Sequence, residues 1–191
     1  MTTHLPGRVR GRMANIAAMK PCGYTLDVVA ADAADAVAAA GGLMFDRIHS
    51  GWTARVFVLE DLDLRPLDIL GAQGFAYDGI DNLALSRPLA ALALSSAVLD
   101  RSEEIYQNTL NRLRRGCAEV TLWGDPPQEM QHHLVAMEHR LTPAAKAFKT
   151  SAWAACANGP VLQHPTERFH GLGTLCVPGN PDLTPVTVAV G

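Results

Sequence analysis

Two short runs rich in β-branched residues, Tyr24–Val29 and Thr53–Leu59, have the length of strands rather than helices. Between them Val37, Met44 and Ile48 recur at spacings of seven and four, with Gly41 on the same face, which is the period of a helix over Asp32–Ser50. Asp32 and Asp35 fall in its first turn, Arg47 and His49 near its end, and Gly51 can take the left-handed conformation that closes it. Gly41 and Gly42 each cost about 1 kcal/mol relative to alanine, so this helix has to recover stability by close packing of Ala38, Gly41 and Gly42 on a sheet. Strand, helix and strand joined by short links require parallel strands and a right-handed crossover. Val56 to Leu59 is apolar without alternation, as in a strand covered on both faces.

Further along, Leu67, Ile69 and Leu70 mark Arg65–Ala72 as a strand, and the short joint before it implies an antiparallel return. A turn-rich connection follows over Gly71–Asn82, pinned by Phe75 and Tyr77. Ser86–Leu99 has the composition of a buried apolar helix. Asp100 and Glu103 resemble a capping pair for a helix ending at Arg115, with Gly116 beyond it and Tyr106, Leu110, Leu113 and Cys117 on its inner face. Glu119–Trp123 reads as a strand.

Asp125-Pro-Pro-Gln128 starts a further helix, with Met130, Leu134, Met137 and Leu141 as its apolar stripe. Thr142-Pro143 restarts the helical register as far as Ala157. After Val161 only Leu172–Val177 and Pro185–Val190 look like strands, with Pro185 suited to an edge. The pattern as a whole predicts one α/β domain over residues 23–191. Its sheet is mixed and mostly parallel with helices on both faces: a βαβ unit, an antiparallel strand, and a helix-rich half. A basic, flexible arm over residues 1–22 precedes it.

The length of 191 residues with 48% hydrophobic and 18% charged content suits one domain with a sizeable core. A net charge of -3 removes the usual electrostatic case for general binding to nucleic acid or anionic membranes, leaving such contact only to the arm at Arg8, Arg10 and Arg12. Cys22, Cys117, Cys156 and Cys176 are widely spaced and form no CxxC pair, so they read as free thiols of a cytoplasmic protein. The N-terminus lacks the apolar core of a signal peptide, and Pro88–Leu99 is shorter than the roughly 20 residues that cross a bilayer. No membrane association is expected.

The joint after Val29 lacks the glycine-rich loops that bring backbone amides to phosphates, and Asp32 and Asp35 oppose an anion there, so no nucleotide cofactor is expected. Asp27 and Asp32 accompany the first strand, while Glu60, Asp61 and Asp63 follow the second. Parallel neighbours would gather Asp27, Asp32, Asp61 and Asp63 at the sheet edge where open α/β sheets bind ligands. The same acids also satisfy turns and helix ends without a ligand. His132, His133 and His139 cluster with Glu138, but a helical period turns His132 and His139 to the outer face, away from the apolar stripe, and sets them roughly 10 Å apart along the axis, and the pattern is not HExxH, so no metal is expected. There is no GxSxG elbow, and Cys176 has only sequence proximity to His164 and His170.

Asn108, Arg112 and Arg115 form a polar, partly cationic helix surface suited to a protein partner or a second copy of the chain. Two functional expectations follow. The first is a non-enzymatic interaction or regulatory protein working through that helical surface. The alternative is a small-molecule or metal-dependent enzyme or binding domain using the carboxylates at the sheet edge.

Overall fold

The computed structural model describes residues 24–60, 63–79, 90–116, 119–156, 164–172 and 182–186. The expected arm with Arg8, Arg10 and Arg12, the residue Asp61, and three of the cysteines lie outside them. The first unit is as its pattern predicts: β1 (Thr25–Ala30), α1 (Ala33–His49) and β2 (Thr53–Val58), with β1 and β2 parallel from Thr25 opposite Thr53 to Ala30 opposite Val58.

The next element differs. Arg65–Leu70 is a helix, α2, followed by β3 (Gln73–Ala76), which pairs parallel to β2. Pro66 stands in its first turn, Pro66, Leu67 and Leu70 are the buried positions, and Gly71 closes it at φ 80°. That burial is helical, so the expected antiparallel return becomes a second right-handed crossover.

A further exchange of helix for strand occurs within Ser86–Leu99. Residues 86–89 lie outside the described ones; β4 (Ala90–Ser95) then pairs parallel to β1, and only Ser96–Leu99 is helical, as α3. An apolar run covered on both faces carries no alternation, so its period cannot separate a central strand from a buried helix. α4 (Glu103–Arg115) is capped by Ser102, whose side chain accepts from the Ile105 amide, and it closes at Gly116. β5 (Glu119–Trp123) pairs parallel to β4.

The stripe Met130, Leu134, Met137, Leu141 is not one helix. α5 covers only Gln128–Gln131, and β6 (Val135–Arg140) buries Met137 and His139 alternately. α6 (Pro143–Ala155) follows, capped by Thr142. β7 (Thr166–Gly171), a segment that the expected strands did not include, inserts antiparallel between β5 and β6, and β8 (Thr184–Pro185) closes the sheet beside β6. Residues 173–177 and 187–190 of the two expected terminal strands are outside the described residues.

The eight strands among the described residues run in the order β3-β2-β1-β4-β5-β7-β6-β8, a mixed, mostly parallel sheet as predicted. Helices α1, α2 and α6 cover one face, where Leu26, Val28, Val56, Ala91 and Ala93 are buried. Helices α3, α4 and α5 cover the other, over Val29, Phe57, Leu92, Leu94 and Leu122. The small Ala91 and Ala93 lie beneath the alanine-rich α1, whereas leucines face α4, so the depth of each layer follows from alternate positions of one strand.

The glycine pair of α1 meets α6 and β7. A Cβ on Gly42 would lie 2.7 Å from Leu141 Cδ2 and 3.1 Å from Glu167 Oε1. We expect Gly42→Ala to destabilise the fold by about 1–3 kcal/mol through overpacking, despite the better helix propensity of alanine; urea denaturation measures it, and a stabilised variant would contradict this packing.

Where α1 ends, Arg47 is almost wholly buried. Its Nε donates to Asp182 Oδ2 at 2.6 Å, its Nη2 donates to Glu119 Oε1 at 2.6 Å, and the guanidinium lies 4.6 Å from the Trp52 ring centroid. Burial works to lower the Arg47 pKa, but the charges and hydrogen bonds of Glu119 and Asp182 outweigh it and hold it above the ordinary arginine value. Burial raises the Glu119 pKa despite the opposing effect of Arg47.

Candidate ligand site at the carboxyl ends of the parallel strands

In the run β3-β2-β1-β4-β5 the winding direction reverses between β1 and β4, because β2 and β3 build outward on one side and β5 on the other. The crevice outside the carboxyl ends of these strands is where such sheets take ligands. Ala31 and Asp32 leave β1 there, Ser96 leaves β4, and Trp123 and Gly124 leave β5.

Asp32 is the N-cap of α1, and its Oδ1 accepts from the Asp35 amide at 2.7 Å. Asp35 answers with Oδ2 accepting from the Ala31 amide at 3.0 Å and Oδ1 accepting from Trp123 Nε1 at 2.8 Å. Both oxygens of Asp35 are thus engaged, tying the loop after β1 to the end of β5. Asp32 Oδ2 has no partner among the described residues. The Ser96 hydroxyl is buried without a partner among them, facing Gly124, whose φ of 82° suits glycine.

The other acids stand elsewhere. Asp27 lies within β1, fully buried, with its two oxygens 2.8 Å from Nε and Nη2 of Arg55. Asp63 is an exposed partner of Arg65, whose hydrogen bond holds the carboxyl below its ordinary pKa. Glu60 pairs with Arg101 at 2.7 Å. Of Asp27, Asp32 and Asp63, the structure brings only Asp32 to the switch point.

The histidines also separate. His139, expected on the outer face of a helix, is buried in β6, with Nδ1 2.7 Å from the Asp182 carbonyl and Nε2 3.0 Å from Asp46. Alternation of a strand turns it inward, where a helical period would turn it out. His132 and His133 follow α5, with ring centroids 4.1 Å apart. Among the described residues no three histidine, cysteine, aspartate or glutamate side chains could hold one metal ion. On α4, Arg112 Nε donates to Asn108 Oδ1 at 2.7 Å, and Arg115 is exposed at the end of the helix.

Beside the switch point lies a cavity of about 500 Å³, bordered by Ala39, Trp123, Gly124, Lys149, Glu167 and Arg168. Its inner wall contains a buried ion pair: Lys149 Nζ donates to Glu167 Oε1 at 2.6 Å and to the Ala38 carbonyl at 2.7 Å. Glu167 accepts also from the amides of Gly42 and Leu43, at 2.7 and 2.8 Å. A carboxylate from β7 and an ammonium from α6 therefore engage the middle of α1, and Gly41 and Gly42 make room for them.

Sequence reasoning passed over this pair, although its signal is present. Lys149 shares the inner face of α6 with Ala145 and Ala152, and Glu167 shares the inner face of β7 with Phe169. Two opposite charges at core positions call for each other, because a buried charge without a partner is costly.

Strand order, switch-point crevice and cavity define a doubly wound α/β domain of the kind that takes ligands at its carboxyl edge. The fold is similar to that of a deacetylase triple mutant from the teicoplanin biosynthetic pathway, with 12% identity, a TM-score of 0.52, and 77% of this chain and 96% of that chain covered. A deacetylase–teicoplanin complex matches over the same shares at 12% identity and a TM-score of 0.49. No protein-family model and no curated protein matches the chain.

This likeness is one of fold. It corrects the first functional expectation, a non-enzymatic interaction protein working through Asn108, Arg112 and Arg115: a solved structure with a similar fold is that of a deacetylase. No helix among the described residues is long and apolar enough to cross a membrane.

Proposed function

We propose that this chain is a small-molecule hydrolase of the α/β class that removes acetyl groups from amines, acting in the cytoplasm at the crevice between β1 and β4. The observation that carries the proposal is Asp32 at the switch point. One of its oxygens caps α1, while the other has no partner among the described residues and stands where such sheets hold ligands. The fold shared with a deacetylase supports the reaction class. In that reaction a water oxygen adds to the amide carbonyl carbon, the C–N bond breaks, and acetate and a free amine leave. Asp32 would accept the proton of the water and pass it to the departing amine nitrogen. The four cysteines are widely spaced and form no CxxC pair, which suits a reducing compartment.

Asn caps a helix about as well as Asp, so Asp32→Asn separates chemistry from folding. Acetate release from a panel of N-acetylated amino sugars and amines should fall by about 100-fold or more in this variant, with its melting temperature almost unmoved. Equal turnover by both proteins, or no acetate from any member of the panel, would remove the proposal.

A further inference from the structure

The cavity of about 500 Å³ beside the switch point has the size of a small-molecule site, which spans roughly 300–1,000 Å³. We propose that it takes the apolar, ring-bearing part of a small-molecule amine, packed against Trp123, while the polar end of the same molecule reaches Asp32.

The polar groups of the inner wall are already committed. Lys149 Nζ is paired with Glu167 and donates also to the Ala38 carbonyl, while Glu167 accepts further from the Gly42 and Leu43 amides. Trp123 Nε1 donates to Asp35, so the indole offers a ligand its ring rather than its N–H. Arg168 alternates with Glu167 along β7 and turns to the opposite face of the sheet, beside its cross-strand neighbour Glu138. The exposed His164 and the half-buried Thr166 are the polar side chains left on the border, too few for the several hydroxyls of a sugar. A polyol placed here gives up hydrogen bonds to water without regaining them, whereas an apolar group gives up none. Ala38 and Ala39 on α1 project little and leave room for a flat group beside the indole.

The same contacts fix where this space stands relative to Asp32. Asp35 accepts from Trp123 with one oxygen and from the Ala31 amide with the other, so one carboxylate holds both the ring and the loop that carries Asp32. Ala38 follows Asp32 by six residues, about 9 Å along the helix axis. An acetamide joined to a ring by a short alkyl link spans a distance of that order. The inference deepens the deacetylase reading by naming the class of amine, and it rests on that reading only for the role of Asp32; binding of the ring is measured without turnover.

The experiment titrates the intact protein with N-acetylphenethylamine and, separately, with N-acetylglucosamine, following the heat of binding and the tryptophan fluorescence. Saturable binding of the ring compound is expected, about tenfold or more tighter than that of the sugar. Trp123→Phe keeps an aromatic ring and should remove most of the fluorescence change while the heat of binding persists. Ala39→Leu fills the cavity and should weaken binding by about tenfold or more. Should that variant fail to fold, the Trp123→Phe signal still locates the ligand. Phe75→Ala, an exposed ring on the distant strand β3, should bind as the unaltered protein does. The inference is overturned by any of four results: no saturable binding of the ring compound, equal binding of the sugar, a fluorescence change undiminished in Trp123→Phe, or affinity unchanged in a folded Ala39→Leu. Ring binding that Ala39→Leu weakens, in a protein releasing no acetate, removes the deacetylase proposal alone; acetate released from amino sugars but not from ring-bearing amines removes this one alone.

Discussion

Lys149→Met is expected to destabilise the fold by about 3–5 kcal/mol, because it leaves the Glu167 carboxylate buried without its counter-ion. Two α1 amides would still donate to that carboxylate, which places the loss toward the lower end of the range. A double variant, Lys149→Met with Glu167→Gln, removes both charges and should be more stable than Lys149→Met alone, since the glutamine carbonyl can keep an amide partner. Urea denaturation of the two single variants and the double one gives the coupling between them. A Lys149→Met protein within about 1 kcal/mol of the original would show that the pair is not the desolvated one described.

Arg47→Met should have an effect of similar size, about 3–5 kcal/mol, by leaving Glu119 and Asp182 with no shared cation. Its pH dependence has a definite sign. Burial raises the Glu119 pKa in the folded protein, so the folded state holds that proton more tightly than the unfolded chain does. The corresponding stability is present in full below the usual glutamate value of about 4.3 and is lost as pH rises through the folded value. Without Arg47 the window extends to higher pH, so the variant should recover stability on mild acidification. Glu119→Gln, made in the Arg47→Met background, should flatten that profile. Urea midpoints measured across the acidic range decide it: a loss from Arg47→Met that stays constant with pH would exclude Glu119 as the strained group.

The elements legible in sequence were those with a sharp period or a clear cap. α1 carries spacings of seven and four between an aspartate cap and a glycine and stands as expected; α4 ends at Gly116 as expected, but it opens at Ser102 rather than at the Asp100 and Glu103 pair. β4 was misread because a strand buried on both faces has no alternation to distinguish it from a helix. β6 was misread because Met130, Leu134, Met137 and Leu141 fit a helical stripe while Met137, His139 and Leu141 fit a strand equally well, and the deciding residue was a histidine assumed to face solvent. At the site, Asp32 followed from the switch-point rule, whereas Asp27 was drawn into β1 by Arg55 on the neighbouring strand, a cross-strand partner that spacing along one chain does not display. The cavity stayed hidden for a related reason: Lys149 and Glu167 become neighbours of α1 only through the tertiary fold.

Glu167 reaches back 125 positions to the Gly42 amide. The central turn of the first helix is therefore completed by a residue that leaves the ribosome long after the helix itself. A nascent chain halted before β7 holds α1 without its long-range clasp, so the parallel half of the sheet cannot reach full cooperativity early, and closure of that loop becomes a late folding event.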